Sequence, residues 1–112
     1  MTDLTLMERA AKAADIAVRR GTGWQSDMLF IGDGAPNGWV TGREWNPLTD
    51  DGDALRLVVK CNLNVCVGYG SVSACLQDDG SFHRVEEIKD DPYAATRRAI
   101  VRAAAEIGRN MK

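Results

Sequence analysis

The chain has 112 residues, with 14 Lys and Arg against 16 Asp and Glu, so its formal net charge at pH 7 is −2. A hydrophobic fraction of 45% and a charged fraction of 27% are ordinary for a globular protein, and they exclude collagen-like, disordered and disulfide-dense classes. The slight acidic excess argues against a dedicated nucleic-acid binder, because phosphate binding normally needs a basic surface.

The first predicted helix covers Thr5–Val18. Thr5 and Glu8 have the spacing of a capping box, in which each side chain accepts a hydrogen bond from the backbone N–H of the other residue. Two arginines and Gly21 follow Val18, and this combination is typical of a helix C-terminus. The apolar residues that recur at helical spacing are Leu4, Met7, Ala10, Ala11, Ala14 and Val18.

Residues 21–42 are predicted to form turns around an irregular hairpin. The segment holds six of the eleven glycines, and glycine is common in turns because it adopts conformations that other residues avoid. Two short apolar segments, Met28–Ile31 and Trp39–Thr41, flank residues 32–38, which consist largely of turn-forming types. We therefore expect these two segments to be paired strands.

A second helix is predicted from Asp50, Asp51 and Asp53 to about Asn62. Acidic side chains at a helix start accept hydrogen bonds from free N–H groups and interact favourably with the helix dipole. The alternative, a Mg²⁺ or Ca²⁺ site, is less favoured because the residues do not follow the order of an EF-hand loop. The stripe expected to face the core consists of Ala54, Leu55, Val58 and Cys61.

Three strands are predicted after the second helix. The segments Asn64–Gly68 and Val72–Gln77 alternate in the manner of strands. A third segment, Phe82–Ile88, follows Asp79-Gly80, a dipeptide that favours a hairpin turn. The last two segments are therefore expected to pair antiparallel.

The last helix is predicted to begin at Asp91-Pro92, because Asp is a good N-cap and Pro is tolerated at the first helical position. It is expected to run to about Ile107 and to stop at Gly108. The order α-β-β-α-β-β-β-α predicts an α+β fold, a three-layer α/β/α sandwich with a mainly antiparallel sheet, in a single domain over residues 1–112. The inner face of the last helix is expected to consist of Tyr93, Thr96, Ile100, Ala103, Ala104, Ile107 and Met111.

Two stretches carry a resemblance to a known family. The first is Trp45–Leu57 (WNPLTDDGDALRL) and the second is Asp91–Glu106 (DPYAATRRAIVRAAAE). In their spacing, and together with the N-terminal helix, they resemble the phage ABA-sandwich domain family of small bacteriophage and prophage proteins. The resemblance implies layers of helix, sheet and helix, and it implies no catalytic residue, cofactor or substrate.

No segment is typical of a membrane helix or a secretory signal. No apolar run approaches the roughly 18 residues of a membrane span, and the N-terminus lacks a basic region followed by an apolar one. Cys61, Cys66 and Cys75 cannot all pair within one chain, which fits a compartment that keeps thiols reduced. We therefore expect a cytoplasmic protein whose cysteines serve mainly in packing, and the phage resemblance implies that this cytoplasm is that of a bacterial host.

The candidate binding residues are three tryptophans and two arginines. Trp24, Trp39 and Trp45 occur close together in the glycine-rich part of the chain, and aromatic side chains are enriched in pockets and at interfaces. The alternative is burial at the edge of the core, where Trp45 would anchor the turn into the second helix. Arg98 and Arg102 share the outer face of the last helix, where they either bind a phosphate or an acidic partner or are solvated.

A thiol-dependent enzyme that uses Cys75 and His83 is a further alternative. The predicted hairpin places the two residues near each other, but thiol catalysis also needs a lowered thiolate pKa and a group that stabilises an oxyanion. The sequence shows neither, and the spacing of the cysteines and His83 is not that of a zinc site. No metal and no cofactor is expected.

The family resemblance implies an accessory protein of a phage or prophage, and the lack of a catalytic constellation favours a non-enzymatic one that binds a host protein or a small ligand. The alternative is a nucleotide- or anion-binding module, which would need Arg56, Arg84 or Arg97 near the tryptophan segment. A homodimer is compatible with the sequence, because self-pairing is one way to cover the edge strands of a small sheet.

Overall fold

The computed structural model describes residues 2–31 and 43–111. The described residues form three α-helices and six strands in two antiparallel sheets. In chain order the elements are α1 (Asp3–Ala13), β1 (Val18–Arg20), a 3-10 helix (Gly23–Gln25), β2 (Leu29–Ile31), β3 (Arg43–Glu44), α2 (Asp51–Cys61), β4 (Leu63–Val67), β5 (Ser71–Leu76), β6 (Arg84–Glu87) and α3 (Pro92–Arg109).

The predicted α+β class with antiparallel strands is confirmed. The order of helices and strands also matches the prediction, apart from the additional strand β1. The strands are divided between a first sheet in the order β1-β2-β3 and a second in the order β4-β5-β6. None of the helices within the described residues is both long enough and apolar enough to cross a bilayer.

Helix α1 begins and ends earlier than the sequence pattern predicted. The side chain of Thr2, not that of Thr5, is the N-cap, and its Oγ1 accepts a hydrogen bond from the Thr5 N–H at 3.1 Å. The helix ends because Asp15 takes a left-handed conformation, with a φ of 56°. The predicted extension to Val18 is therefore wrong, since Val18 lies in β1.

The first sheet contains part of the predicted hairpin. Val18 in β1 is paired with Ile31 in β2, and Phe30 is paired with Glu44 in β3. The predicted first segment of the hairpin, Met28–Ile31, therefore corresponds to β2. The predicted second segment, residues 39–41, lies outside the described residues.

The second sheet confirms the predicted antiparallel hairpin around Asp79-Gly80. Strand β5 pairs with β6 on one side and with β4 on the other, so β4 and β6 are the edges of this sheet. The pairing of Val65 with Ala74 and of Ala74 with Arg84 puts these side chains on one face, which is covered by α3. The opposite face includes Asn64 and Cys66, both of which are exposed.

Acidic residues cap α2 and α3, as the sequence predicted. The Asp50 carboxylate accepts a hydrogen bond from the Asp53 N–H at 2.8 Å, and the Asp91 carboxylate accepts one from the Tyr93 N–H at 3.0 Å. The predicted end of α3 at Ile107 is wrong, because the helix continues through Gly108 to Arg109. Gly108 lies inside the helix, where its backbone contacts α1.

Helix α3 is the centre of the fold, between α1 and the second sheet. A Cβ added at Gly108 would collide with the carbonyl oxygen of Arg9, so the backbones of α1 and α3 cross in close contact. Small side chains allow this approach, and they leave little of the middle of α3 exposed. The buried residues of α3 are Ala99, Ile100, Val101, Ala103, Ala104, Ala105 and Gly108.

Candidate functional site

An apolar groove of about 640 Å³ lies between α2, α3 and strand β4. Its floor is formed by Val65 and Val67 of β4, and its two walls are formed by residues 51–58 of α2 and by the N-terminal half of α3. The lining is almost entirely hydrocarbon. The wall residues are Asp51, Ala54, Leu55 and Val58 of α2, together with Pro92, Tyr93, Thr96, Arg97 and Ile100 of α3.

Large apolar side chains of this groove are open to solvent. Leu55 is 62% exposed, Val67 is 57% exposed and Tyr93 is 70% exposed. Two further exposed apolar residues lie next to these in the sequence: Val59, one helical turn after Leu55, and Tyr69, which follows β4. Exposed apolar side chains that line one groove are typical of binding sites on folded proteins.

One ion pair forms the polar part of the groove wall. The Arg97 guanidinium donates to the Asp51 carboxylate at 2.6 Å and, through Nε, to the carbonyl oxygen of Leu48 at 2.8 Å. The Arg97 side chain is largely buried, whereas that of Asp51 is mostly exposed. These bonds join α3 to the start of α2, so they fix the two walls relative to each other at this end of the groove.

The exposure of Leu55 and Tyr93 corrects the prediction that both face the core. Helical periodicity identifies an apolar face, but it does not show whether another element covers that face. In α2 the buried position expected for Leu55 is taken by Leu57. Val58 and Ile100 were also expected to face inwards. Val58 is partly buried, Ile100 is buried, and both line the groove.

The candidate tryptophans lie in different environments. Trp24 is in the 3-10 helix and is 81% exposed. Trp45 is fully buried. Its backbone N–H donates to the carbonyl oxygen of Leu29 at 2.8 Å, whereas its indole Nε1 has no hydrogen-bond partner among the described residues. Trp39 is outside the described residues. Trp24 and Trp45 are not among the residues that line the groove.

The candidate arginines of α3 form ion pairs with neighbouring elements. Arg98 pairs with Asp3 of α1 at 3.3 Å, and Arg102 pairs with Glu86 of β6 at 3.2 Å. The three arginines considered for an anion site also have separate acidic partners. Arg56 pairs with Asp53, Arg84 with Glu106 and Arg97 with Asp51.

The acidic residues at the start of α2 have structural partners. Asp50 is the N-cap, Asp51 pairs with Arg97, and Asp53 is buried. The Asp53 carboxylate accepts hydrogen bonds from Arg43 at 2.9 Å, from Arg56 at 3.2 Å and from the backbone N–H of Asn46 at 3.0 Å. Among the described residues, no group of three His, Cys, Asp or Glu side chains could hold a metal ion.

The three cysteines differ in exposure. Cys61 is buried, and this burial raises the pKa of its thiol, whereas Cys66 is exposed and Cys75 is half-buried. The pairing of Ala74 with Arg84 implies that His83, just before β6, lies opposite Cys75. Within residues 43–111 no hydrogen bond joins Cys75 to His83, and neither residue lines the groove. Comparison of the chain with family models, with curated proteins and with solved structures gave no match.

Proposed function

We propose that this protein is a non-enzymatic binding module that holds an apolar segment of a partner protein in the α2–β4–α3 groove. The observation that carries the proposal is the exposure of Leu55, Val67 and Tyr93 around one groove. Exposed hydrocarbon of this extent is unfavourable in water, at roughly 25 cal/mol for each Å² that a partner could cover. A partner that covers these side chains gains this free energy.

The lining of the groove supports binding better than catalysis. Its ionisable residues are Asp51, Arg97 and Tyr93, and the first two are engaged with each other in an ion pair. An apolar surface with a few fixed polar groups at its border is typical of a site that selects a partner by shape and burial. The three thiols and His83 are not among the residues that line the groove.

The proposal has a second part, which concerns the origin of the protein and of its partner. The resemblance of Trp45–Leu57 and Asp91–Glu106 to phage ABA-sandwich proteins supports this part. The protein would be an accessory protein of a phage or prophage, and its partner would be a host protein of the bacterial cytoplasm. Both stretches contribute to the groove, because the first ends within α2 and the second forms most of α3. The likeness therefore includes residues on both walls of the candidate site.

The groove is tested with 1-anilinonaphthalene-8-sulfonate, an anionic dye whose fluorescence rises when its aromatic rings bind an apolar surface. Leu55→Glu places a charge in the groove, and Val85→Glu places the same charge at an exposed apolar position of β6 outside it. We expect saturable binding to the native protein, weakened at least about tenfold, or about 1.4 kcal/mol, by Leu55→Glu and unchanged by Val85→Glu. Equal dye binding by both variants, with native circular dichroism, would contradict the proposal.

A small apolar ligand is a second candidate occupant, and the volume of the groove favours it. About 640 Å³ is within the range of small-molecule sites, which is roughly 300–1,000 Å³. Native mass spectrometry of the protein after gentle purification from a bacterial lysate distinguishes the two occupants. An added mass that is lost on denaturation and is absent from Leu55→Glu supports the small ligand, whereas the bare sequence mass favours the partner protein.

A further inference from the structure

Among the residues that the structure describes, none pairs with the outer edge of strand β4, which lies directly beside the groove. It is the first strand in the order β4-β5-β6, and β5 pairs with one side of it only. At the two ends of this pairing, Gly68 donates to Ser71 at 2.8 Å and Gln77 donates to Asn62 at 2.9 Å. Because bonded and non-bonded pairs alternate in an antiparallel ladder, Asn64 and Cys66 also bond to β5.

The other residues of β4, which alternate with Asn64 and Cys66, direct their backbone N–H and C=O groups away from β5. Leu63, Val65 and Val67 occupy the alternate positions of β4, so their N–H and C=O groups point to the open side of the sheet. Among the described residues, no backbone hydrogen bond to Val65 or Val67 is formed from outside the sheet. An edge of this kind is a template for pairing with another strand.

The two valines at this edge also form the floor of the groove. Val65 and Val67 therefore offer backbone hydrogen bonds to a neighbouring strand and apolar side chains to its inner face. The outer face of the same sheet is exposed, with Asn64 and Cys66 on β4. A segment that extends this sheet must consequently alternate, with apolar side chains towards the groove and polar side chains towards water.

We propose that the groove receives its partner as an extended strand that pairs with the free edge of β4. This inference rests on the proposed function and names the form of the segment that is bound. The segment adds a fourth strand to the β4-β5-β6 sheet through the N–H and C=O groups of Val65 and Val67. Its alternate apolar side chains enter the groove and cover Leu55 and Tyr93. Backbone pairing gives affinity in this mode of recognition, and the side-chain pockets give specificity.

The probe for this inference is a seven-residue peptide of alternating threonine and valine with blocked, labelled ends. Two matched peptides carry N-methyl groups either on all valine amides or on all threonine amides. Both retain every side chain, but each lacks the N–H groups on one side of the strand. Fluorescence anisotropy measures binding to the native chain, to Leu55→Glu and to Val85→Glu.

We expect the unmodified peptide and one N-methylated peptide to bind, and the other to bind at least about tenfold more weakly. Loss on valine methylation identifies antiparallel pairing, and loss on threonine methylation identifies parallel pairing. Hydrogen exchange by NMR should show slower exchange of the Val65 and Val67 amides when peptide is bound. Binding should be lost in Leu55→Glu and retained in Val85→Glu.

Two results would overturn the strand inference. Equal binding of both N-methylated peptides, with no added protection at Val65, would show that the groove takes apolar groups without strand pairing and would leave the proposed function intact. Concentration-dependent dimerisation of the native chain alone, with protection of Val65 in the absence of peptide, would assign the edge to a second copy. Equal dye binding by Leu55→Glu and Val85→Glu, by contrast, would refute the proposal that the groove is a binding site.

Discussion

At position 108 the absence of a side chain sets the distance between two helices. Alanine normally stabilises a helix relative to glycine by about 1 kcal/mol. Here the added Cβ would collide with the Arg9 carbonyl oxygen, so α1 and α3 would have to separate. We expect Gly108→Ala to lower the free energy of unfolding by about 1–3 kcal/mol, which is typical of overpacking, and urea denaturation measures it.

Gly52→Ala is the matched control for this prediction. Gly52 is also helical, but a Cβ there would approach only the side chains of Arg56 and Asp50, at 3.2 and 3.3 Å. Both atoms are at the ends of side chains and not in the backbone, so a shift of a few tenths of an ångström relieves the contact. We expect Gly52→Ala to leave the free energy of unfolding unchanged or to raise it. Similar values for the two variants would contradict the close approach of α1 and α3.

Asp53 is the residue that ties β3 to α2. Its buried carboxylate accepts from Arg43, Arg56 and the Asn46 N–H. Asp53→Asn removes the charge and leaves an amide that can no longer accept all three bonds, so we expect a loss of about 2 kcal/mol in the free energy of unfolding. Asp3→Asn removes the exposed pair with Arg98 and should cost less than about 1 kcal/mol. Equal losses would show that burial of Asp53 contributes nothing.

Among the secondary-structure elements, α1 and β1 are joined by an ion pair that responds to pH. Arg20 donates to both carboxylate oxygens of Glu8, at 2.6 and 3.0 Å, and this hydrogen bonding lowers the pKa of Glu8. Because the pKa is lower in the folded chain, the unfolded chain binds more protons in this range and stability rises with pH. The contribution is complete above the ordinary glutamate pKa of about 4.3 and is lost as the pH falls through the folded value.

We therefore expect Glu8→Gln to be less stable than the native chain at pH 7 and equally stable at a pH below the folded pKa of Glu8. Urea denaturation at a series of pH values measures the difference. Glu87→Gln on the exposed face of β6 is the control, since the described residues give Glu87 no ion pair. A difference between native and Glu8→Gln that stays constant down to pH 2 would contradict the prediction.

The elements that the sequence predicted well are those with local signals. Asp50 and Asp91 mark the starts of α2 and α3 because a cap acts on N–H groups two or three residues away. The start of α1 was misplaced because Thr5 and Glu8 match the capping-box spacing, whereas the structure uses Thr2 as the N-cap. Val18 fitted the helical stripe equally well, but pairing with Ile31 places it in a strand.

The groove could not be predicted from the same signals, because it depends on which elements cover which faces. One signal was present in α2, where apolar residues spread around more than one face of the helix. Leu57 is buried, whereas Leu55 and Val59 point elsewhere and are exposed. An apolar set too wide for one face indicates a second contact surface. For α3, the spacing placed Tyr93 with Ile100, but only Ile100 is covered.

At the scale of the whole molecule, the rates at which the cysteines are alkylated measure how often the fold opens. Cys66 is exposed, whereas Cys61 is in the core and its burial raises the thiol pKa. Since the thiolate is the form that reacts, we expect iodoacetamide to modify Cys66 in the native protein and to modify Cys61 at least about a hundredfold more slowly, through opening of the fold. Mass spectrometry of the alkylated peptides measures both rates.

Urea provides the control for this prediction. In the unfolded chain Cys61 and Cys66 should react at similar rates, because neither thiol is then buried. Cys75, which is half-buried, should react at a rate between the other two in the native protein. Equal rates for Cys61 and Cys66 without denaturant would show that the core opens readily at the end of α2.

The contact between α1 and α3 has a consequence for biosynthesis. Asp3 and Arg98 are 95 positions apart, and Lys12 and Met111 are 99 apart, yet both pairs are in contact. During translation the apolar side of α1 leaves the ribosome long before α3 exists. Contacts of such wide sequence separation form late because most of the chain must be ordered to close them. The nascent chain therefore exposes α1 until α3 emerges, and this interval is when a chaperone or a degrading protease meets it.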